Sequence, residues 1–300
     1  MKVQGNHFII AIVCLGLDAC SGTNPRYISN PSMYNAAFFR QKGDLKVSGA
    51  FVANPNNLLT SVRLDTATKD EANKNMGFDG QIAYAVTDHF LIQGGGMYRS
   101  EKDIFNHDDI APNSGSQINY KRSQFDIGAG YYTAMGTSRK VFFNGVLSAG
   151  FGHSTSADIG TPNERRRYFD FNFVKYQLTP SVNFFFTENA RLSLAPRFSL
   201  LTANNFNTNY TAAEQEQLNY NTMGKGRLLF EPGMLFQGGA PGLPWLKFEV
   251  GAHFSSNPLT AVSESNGTTG FSDSDRRLRS RRFLLSLGLS FYPFEGRHLQ

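Results

Sequence analysis

The chain has 300 residues, 40% of them hydrophobic, and 29 Lys and Arg against 24 Asp and Glu for a formal charge of +5. That length allows one or two domains. Mean hydropathy is −0.33, and past the N-terminus no apolar run approaches the ~20 residues of a spanning helix, which excludes a helical membrane protein but not a barrel, whose strands are each only half apolar. With no basic helix and no RNA-binding motif, so small a basic excess points away from nucleic acid.

Residues 1–19 read as an export signal, with Lys2, an apolar run over 8–17 and small residues after it. The run is too short to span a bilayer. Leu17-Asp18-Ala19-Cys20 resembles the lipobox of bacterial lipoproteins, where cleavage precedes a cysteine that is then acylated. The resemblance implies lipidation at Cys20; an ordinary secretory signal with an incidental cysteine is the alternative. Of the two cysteines, Cys14 falls inside the signal, so cleavage leaves one thiol and no disulfide. Residues 20–43 hold Pro25 and Pro31 and sustain no period. They are expected to be a periplasmic tether from the lipid anchor to a barrel over 44–294.

From 45 onward, alternation with period two predicts strand after strand. The first, 45–53, sets Leu45, Val47, Gly49 and Phe51 on one face. The second places Phe78, Ile82, Tyr84 and Val86 against Asp79 and Gln81, and the third covers 90–98. The fourth sets Phe125, Ile127, Ala129 and Tyr131 against Gln124 and Asp126; the fifth aligns Val141, Phe143, Leu147, Ala149 and Phe151. The sixth, 168–186, changes phase between Phe173 and Val174, which predicts a bulge there. The seventh opposes Leu192, Leu194, Phe198 and Leu200 to Arg191, Ser193, Arg197 and Ser199. Leu228, Phe230, Met234 and Phe236 against Glu231 and Gln237 make the eighth; Leu246, Phe248 and Val250 against Lys247 and Glu249 make the ninth. The last, 282–294, carries Phe283, Leu285, Leu287, Leu289 and Phe291 on one face. It resembles the C-terminal recognition strand of bacterial outer-membrane barrels, although six residues, 295–300, run on past Phe294 as a short periplasmic tail.

Long polar connections (54–75, 99–117, 153–164, 203–224, 255–280) alternate with short ones. A soluble sandwich has no reason to sort its loops this way. Outer-membrane barrels do, with short periplasmic turns, long extracellular loops and an even strand number. The fold predicted is therefore an all-β, up-and-down antiparallel transmembrane barrel of the outer-membrane type with about ten strands, eight or twelve also fitting the pattern. Both termini are then expected in the periplasm.

The inward phase carries Lys46, Asp79, Asp126, Arg191, Arg197, Glu231, Lys247 and Glu249. A ten-stranded barrel is narrow, and an unpaired buried charge costs several kcal/mol, so these residues are expected to pair across a plugged lumen. A narrow solute channel lined by Arg191, Arg197, Asp126 and Glu231 is the alternative. Arg122, Arg165, Arg166, Arg167, Arg227, Arg279 and Arg282 fall near the long-loop ends of strands. There they are expected to form a collar gripping lipid A phosphates. Gly94-Gly95-Gly96 lies inside a strand with no helix after it, so it is not a phosphate loop. A third reading, a surface protease resembling the omptins, would draw on His153, His253, Asp158, Asp273 and Asp275, but no paired motif joins them. No catalytic residue, metal ligand or cofactor is assigned.

Four phrases, K-G-D-L-K-V-S-G from Lys42, Q-I-A-Y-A-V-T-D-H from Gln81, F-D-I-G-A-G-Y-Y from Phe125 and F-E-P-G from Phe230, resemble an uncharacterised family of outer-membrane barrel lipoproteins from Bacteroidetes. They occur in order across most of the mature chain. The resemblance implies the fold and the location, with outer-membrane lipid, lipopolysaccharide and the barrel assembly machinery as partners. It supplies no ligand or catalytic residues. The 54–75 insertion departs from the family's short first connection.

Overall fold

The computed structural model describes residues 26–54, 74–105, 116–159, 166–263, 269–273, 278–281 and 283–295. The signal, Cys20, Arg165, Arg282, Asp275 and the tail from 296 lie outside the described residues.

The strands are β1 (Arg26–Ser29), β2 (Leu45–Ala53), β3 (Lys74–Ala85), β4 (Phe90–Phe105), β5 (Ser116–Ala134), β6 (Val141–Ile159), β7 (Arg167–Phe185), β8 (Ala190–Ala195) and β9 (Phe198–Thr208). A short helix α1 (Ala212–Gln217) follows. Then come β10 (Arg227–Phe230), β11 (Gly233–Gly238), β12 (Leu246–Phe254), β13 (Leu259–Ser263), β14 (Thr269–Asp273), β15 (Leu278–Ser280) and β16 (Phe283–Phe291).

Antiparallel pairing runs from β2 through β7, on to β8 and β9 together, β10 and β11 together, β12 and β16, and β16 pairs back onto β2. The result is a closed all-β barrel of ten antiparallel strands, the architecture of outer-membrane barrels. β8 and β9 are one strand interrupted at Pro196-Arg197, and β10 and β11 are one strand interrupted at Glu231-Pro232. Pro180 on β7 sits where that strand changes partner from β9 to β8. Proline brings no N–H to a ladder, so the ladder breaks at Pro196 and Pro232 and changes partner at Pro180. Glu231 N donates to Arg197 O across the gap at 2.7 Å.

Period two decides what faces outward. Phe51, Phe78, Tyr98, Phe125 and Phe151 are exposed at one level of the wall, and Phe90, Tyr131, Phe186, Trp245 and Phe291 at the other, with Ile92, Ile127, Leu147, Val250 and Leu287 between. On β6 the outward apolar residues run from Phe143 to Phe151, ~26 Å along the strand and ~20 Å in height after tilting, close to the ~25 Å apolar band of such barrels. Among the described residues no helix is long and apolar enough to cross a membrane.

Three expectations need correction. Residues 26–39, expected as a tether outside the barrel, run through its lumen, and all but Asn35 are buried. Their lack of period is that of a strap bonded on every side rather than that of a linker. Second, no phase change occurs at Phe173: alternation along β7 is unbroken, with Phe169, Phe171 and Phe173 facing inward above Lys175, Gln177 and Thr179. The register shift falls at the β7–β9 pairing, between Asp170 and Asn172, opposite Asn205 with its positive φ of 52°. Third, much of the expected loops 99–117 and 153–164 is strand. There the outward face turns from Phe125 and Phe151 to Ser123, Lys121 and His153, so both faces are polar and the pattern reads as loop.

Candidate functional site

Among the described residues, charged side chains converge in the lumen, and the strap occupies it. At the long-loop mouth, β1 pairs in parallel with β15. Arg26 pairs with Asp158 at 2.6 Å, and the Tyr27 ring lies 3.6 Å from the Arg281 guanidinium. At mid-height, Met33 N donates to Asp79 at 2.6 Å and Gln81 donates to Met33 O at 2.7 Å. Lower down, Lys46 donates to Ala36 O at 3.2 Å and Asn144 to Ala37 O at 2.9 Å. Then Lys42 N reaches Asp88 in the first short turn at 2.9 Å. The strap thus descends from the long-loop mouth to the short-turn mouth, where Gly43 (φ 87°) turns it into β2. Side chains of the wall satisfy its backbone, as buried polar groups require.

Between the mouths lies a belt of buried ion pairs. Asp79 holds Arg99. Glu101 holds Arg122 and, at 3.4 Å, Arg281, whose other arm reaches Asp103 at 2.6 Å. Lys46 pairs with Glu249 at 2.9 Å. Glu231 takes Lys175 at 2.7 Å and Arg197 at 3.4 Å, and Arg197 also donates to Ser32 O at 2.9 Å. Arg122 donates to Tyr27 O, and Asn30 to Glu101. Each carboxylate here touches a cation, the condition under which burying a charge is tolerable.

Two apolar clusters bracket the belt. The upper one gathers Ile28, Phe169, Phe171, Phe173, Tyr220, Met223 and Leu278. The Phe169 and Tyr220 rings stack at 4.0 Å, bringing the connection after β9 over the mouth. The lower one packs Phe38 and Phe39 of the strap against Tyr132, Phe142, Phe185 and Leu235. A cavity of about 200 Å³ opens at the short-turn mouth beside Arg40, Glu188 and Lys247. A space of about 20 Å³ persists at mid-lumen near Asp126, Gln177 and Arg197.

Of the residues expected in the ion-pair network, Lys46, Asp79, Arg197, Glu231 and Glu249 meet opposite charges inside the belt. Arg191 lies lower, against Glu295, and Lys247 donates to Asn189 at 3.0 Å. Asp126 faces the small mid-lumen space. Among the described residues the collar is not assembled. Arg122, Arg227 and Arg279 are buried at 1%, 0% and 6% exposure. Arg122 joins the belt, and Arg227 donates to Thr222 at 2.7 Å and Thr260 at 3.3 Å. On β5 the strand rises above the apolar band with its inward phase unchanged, Arg227 faces inward on β10, and Arg279 lies on β15, paired with the strap, so strand-end position did not mean outward. Arg166 is exposed, and Arg167 pairs with Glu214 at 2.7 Å. Sequence reasoning did not place Arg99, Glu101, Asp103, Lys175 or Arg281 in the network. Lys175 was recoverable from an uninterrupted period on β7.

His153 faces outward and contacts Asn172 at 2.8 Å; His253 is buried inside, 3.0 Å from Ser286; Asp158 is held by Arg26. The wall separates the two histidines.

No family model matches the chain, and no curated protein matches it. Among solved structures, it is similar to the translocator domain of autotransporter NalP from Neisseria meningitidis, at 12% identity over 83% of this chain and 86% of that one, with a TM-score of 0.42. It is similar to the transport unit of autotransporter AIDA-I from Escherichia coli at 10% identity, 87% and 93% coverage and a TM-score of 0.42. The outer membrane protease OmpT from Escherichia coli aligns at 9% identity, 84% and 94% coverage and a TM-score of 0.42.

Proposed function

We propose that this chain is an integral outer-membrane barrel lipoprotein, of the kind its Bacteroidetes-like phrases suggest, whose role is structural or in surface interaction rather than in passing solutes. One observation carries the reading: the strap fills the lumen from mouth to mouth, with its backbone bonded to the wall at Asp79, Gln81, Asn144 and Arg197. The aromatic-edged outward band supports lipid as the surrounding medium. The closing strand β16, with Phe291 exposed at its end, supports insertion by the barrel assembly machinery. The separated histidines support a non-enzymatic role.

Planar-bilayer recording tests it. The full chain is expected to show no steady unitary current. In a variant lacking residues 26–39, any fraction that still closes is expected to conduct, because the belt then faces open space. Steady current through the intact protein would refute the reading and favour the channel.

A further inference from the structure

The strap has a direction, and that direction fixes which side of the barrel its front end occupies. Arg26 is tied to Asp158, one residue from the long-loop end of β6, while Tyr27 meets Tyr120 and Arg281 in the same mouth. Sixteen residues later, Lys42 is tied to Asp88, and Arg139 donates to Arg40 O at 2.9 Å, both in short turns. The chain therefore enters at the long-loop mouth and leaves at the short-turn mouth. The last described residue, Glu295, bonds Arg191 at the short-turn mouth. Arg26 and Glu295 lie at opposite ends of the barrel, whereas the loop pattern had suggested one end for both termini.

We propose that the chain ahead of Arg26 emerges on the long-loop face, so that acyl chains on Cys20 enter the outer leaflet and not the periplasmic one. The lipid part rests on the lipoprotein reading above; the threading does not. Reach decides the leaflet. Cys20 stands six residues before Arg26, and six extended residues span at most ~21 Å. β6 has 19 residues, ~59 Å along the strand and ~45 Å in height at a tilt of ~40°. A return to the far leaflet would need more than twice the available chain, through a lumen the strap already fills. Asp158 stands seven residues past Phe151, ~18 Å above the apolar band, so in height the outer leaflet is within the span of the extended chain. The protein would then be pinned to the outer leaflet by its front end and would display the residues between Cys20 and Arg26 on the surface.

An epitope inserted after Thr23 in the full chain tests the threading, with a second epitope between Asn266 and Gly267 and a third after Gln300 as references. The first is expected to bind antibody on intact cells to the same extent as the loop epitope, and the third only after permeabilisation. A first epitope reached only after permeabilisation, beside a loop epitope that binds on intact cells, would overturn the threading. Intact mass of the membrane-extracted protein reads the lipid separately. A diacylglyceryl-modified Cys20 together with surface binding supports the whole proposal. An unmodified Cys20 with surface binding overturns the leaflet assignment and leaves the threading standing.

Discussion

The ion-pair belt of the lumen and the two apolar clusters that bracket it close the barrel by opposite chemistries. In the belt, Glu101, Glu231, Asp79 and Glu249 hold six cations, Lys46, Arg99, Arg122, Lys175, Arg197 and Arg281, with Asn30 and Ser32 of the strap filling gaps. At the mouths, Phe171 and Tyr220 above, and Phe38 and Phe185 below, do the same work by apolar burial. Ion pairs fix register, since each cation has an assigned carboxylate, but removing one partner strands the other. Apolar clusters lose contact area gradually when trimmed. The strap is therefore positioned in the middle and sealed at the ends.

The comparison can be broken first at Glu101. Glu101→Ala leaves Arg122 and Arg281 without their shared carboxylate, and a loss of ~3–5 kcal/mol is expected, read as a lower urea midpoint in detergent together with transient current. Phe171→Ala should cost ~3 kcal/mol from the upper cluster without opening a conducting path. A leak equal to that of Glu101→Ala would erase the distinction between belt and mouth. Lys46→Met alone should cost ~3 kcal/mol, because Glu249 is left unpaired; joined to Glu249→Leu, the loss should fall below ~1 kcal/mol. A double variant as unstable as the single would mean that the pair does more than neutralise itself.

The smallest effect concerns α1. Thr211 accepts from Glu214 N while the Glu214 carboxylate takes Thr211 N at 2.7 Å, a capping box also bonded to Arg167. These bonds hold the Glu214 carboxyl below the usual glutamate range, the backbone bond from Thr211 first and Arg167 next. A lowered value means that the contribution is complete above the ordinary ~4.3 and is lost as pH falls through the folded value. Hydrogen-exchange protection of the Gln215 and Leu218 amides, taken relative to the intrinsic rate at each pH, should fall in acid, and should already be low at neutral pH in Glu214→Gln. Exchange unaffected by either change would remove the cap from the account of the outer mouth.

Ten strands and their outward faces were legible because lipid imposes one rule on every second residue, as at Phe78, Ile82 and Tyr84 or Phe248, Val250 and Leu287. The inward face obeys no such rule. Phe169, Phe171 and Phe173 look like lipid contacts, yet they line a sealed mouth, and reading them as outward forced a phase change that hid Lys175. Charged residues at the strand ends misled in the same way. Whether Arg122 grips a phosphate or Glu101 depends on which way a strand faces above the band, and both faces are polar there. The strap left almost no trace, since its partners are backbone atoms bonded to residues far along the chain, such as Ala37 to Asn144.

Asp44 and Lys46 fasten the end of the strap to the beginning of β2, and β2 is one edge of the seam with β16. The first wall strand to be made thus arrives with the stopper already beside it, and the last to be made completes the ring. A cylinder zipped shut without its filling would enclose the belt's cations with no backbone carbonyls to meet them. Assembly and stoppering are for that reason a single event, and a defect in the strap should register as a barrel that fails to close, well before it registers as one that leaks.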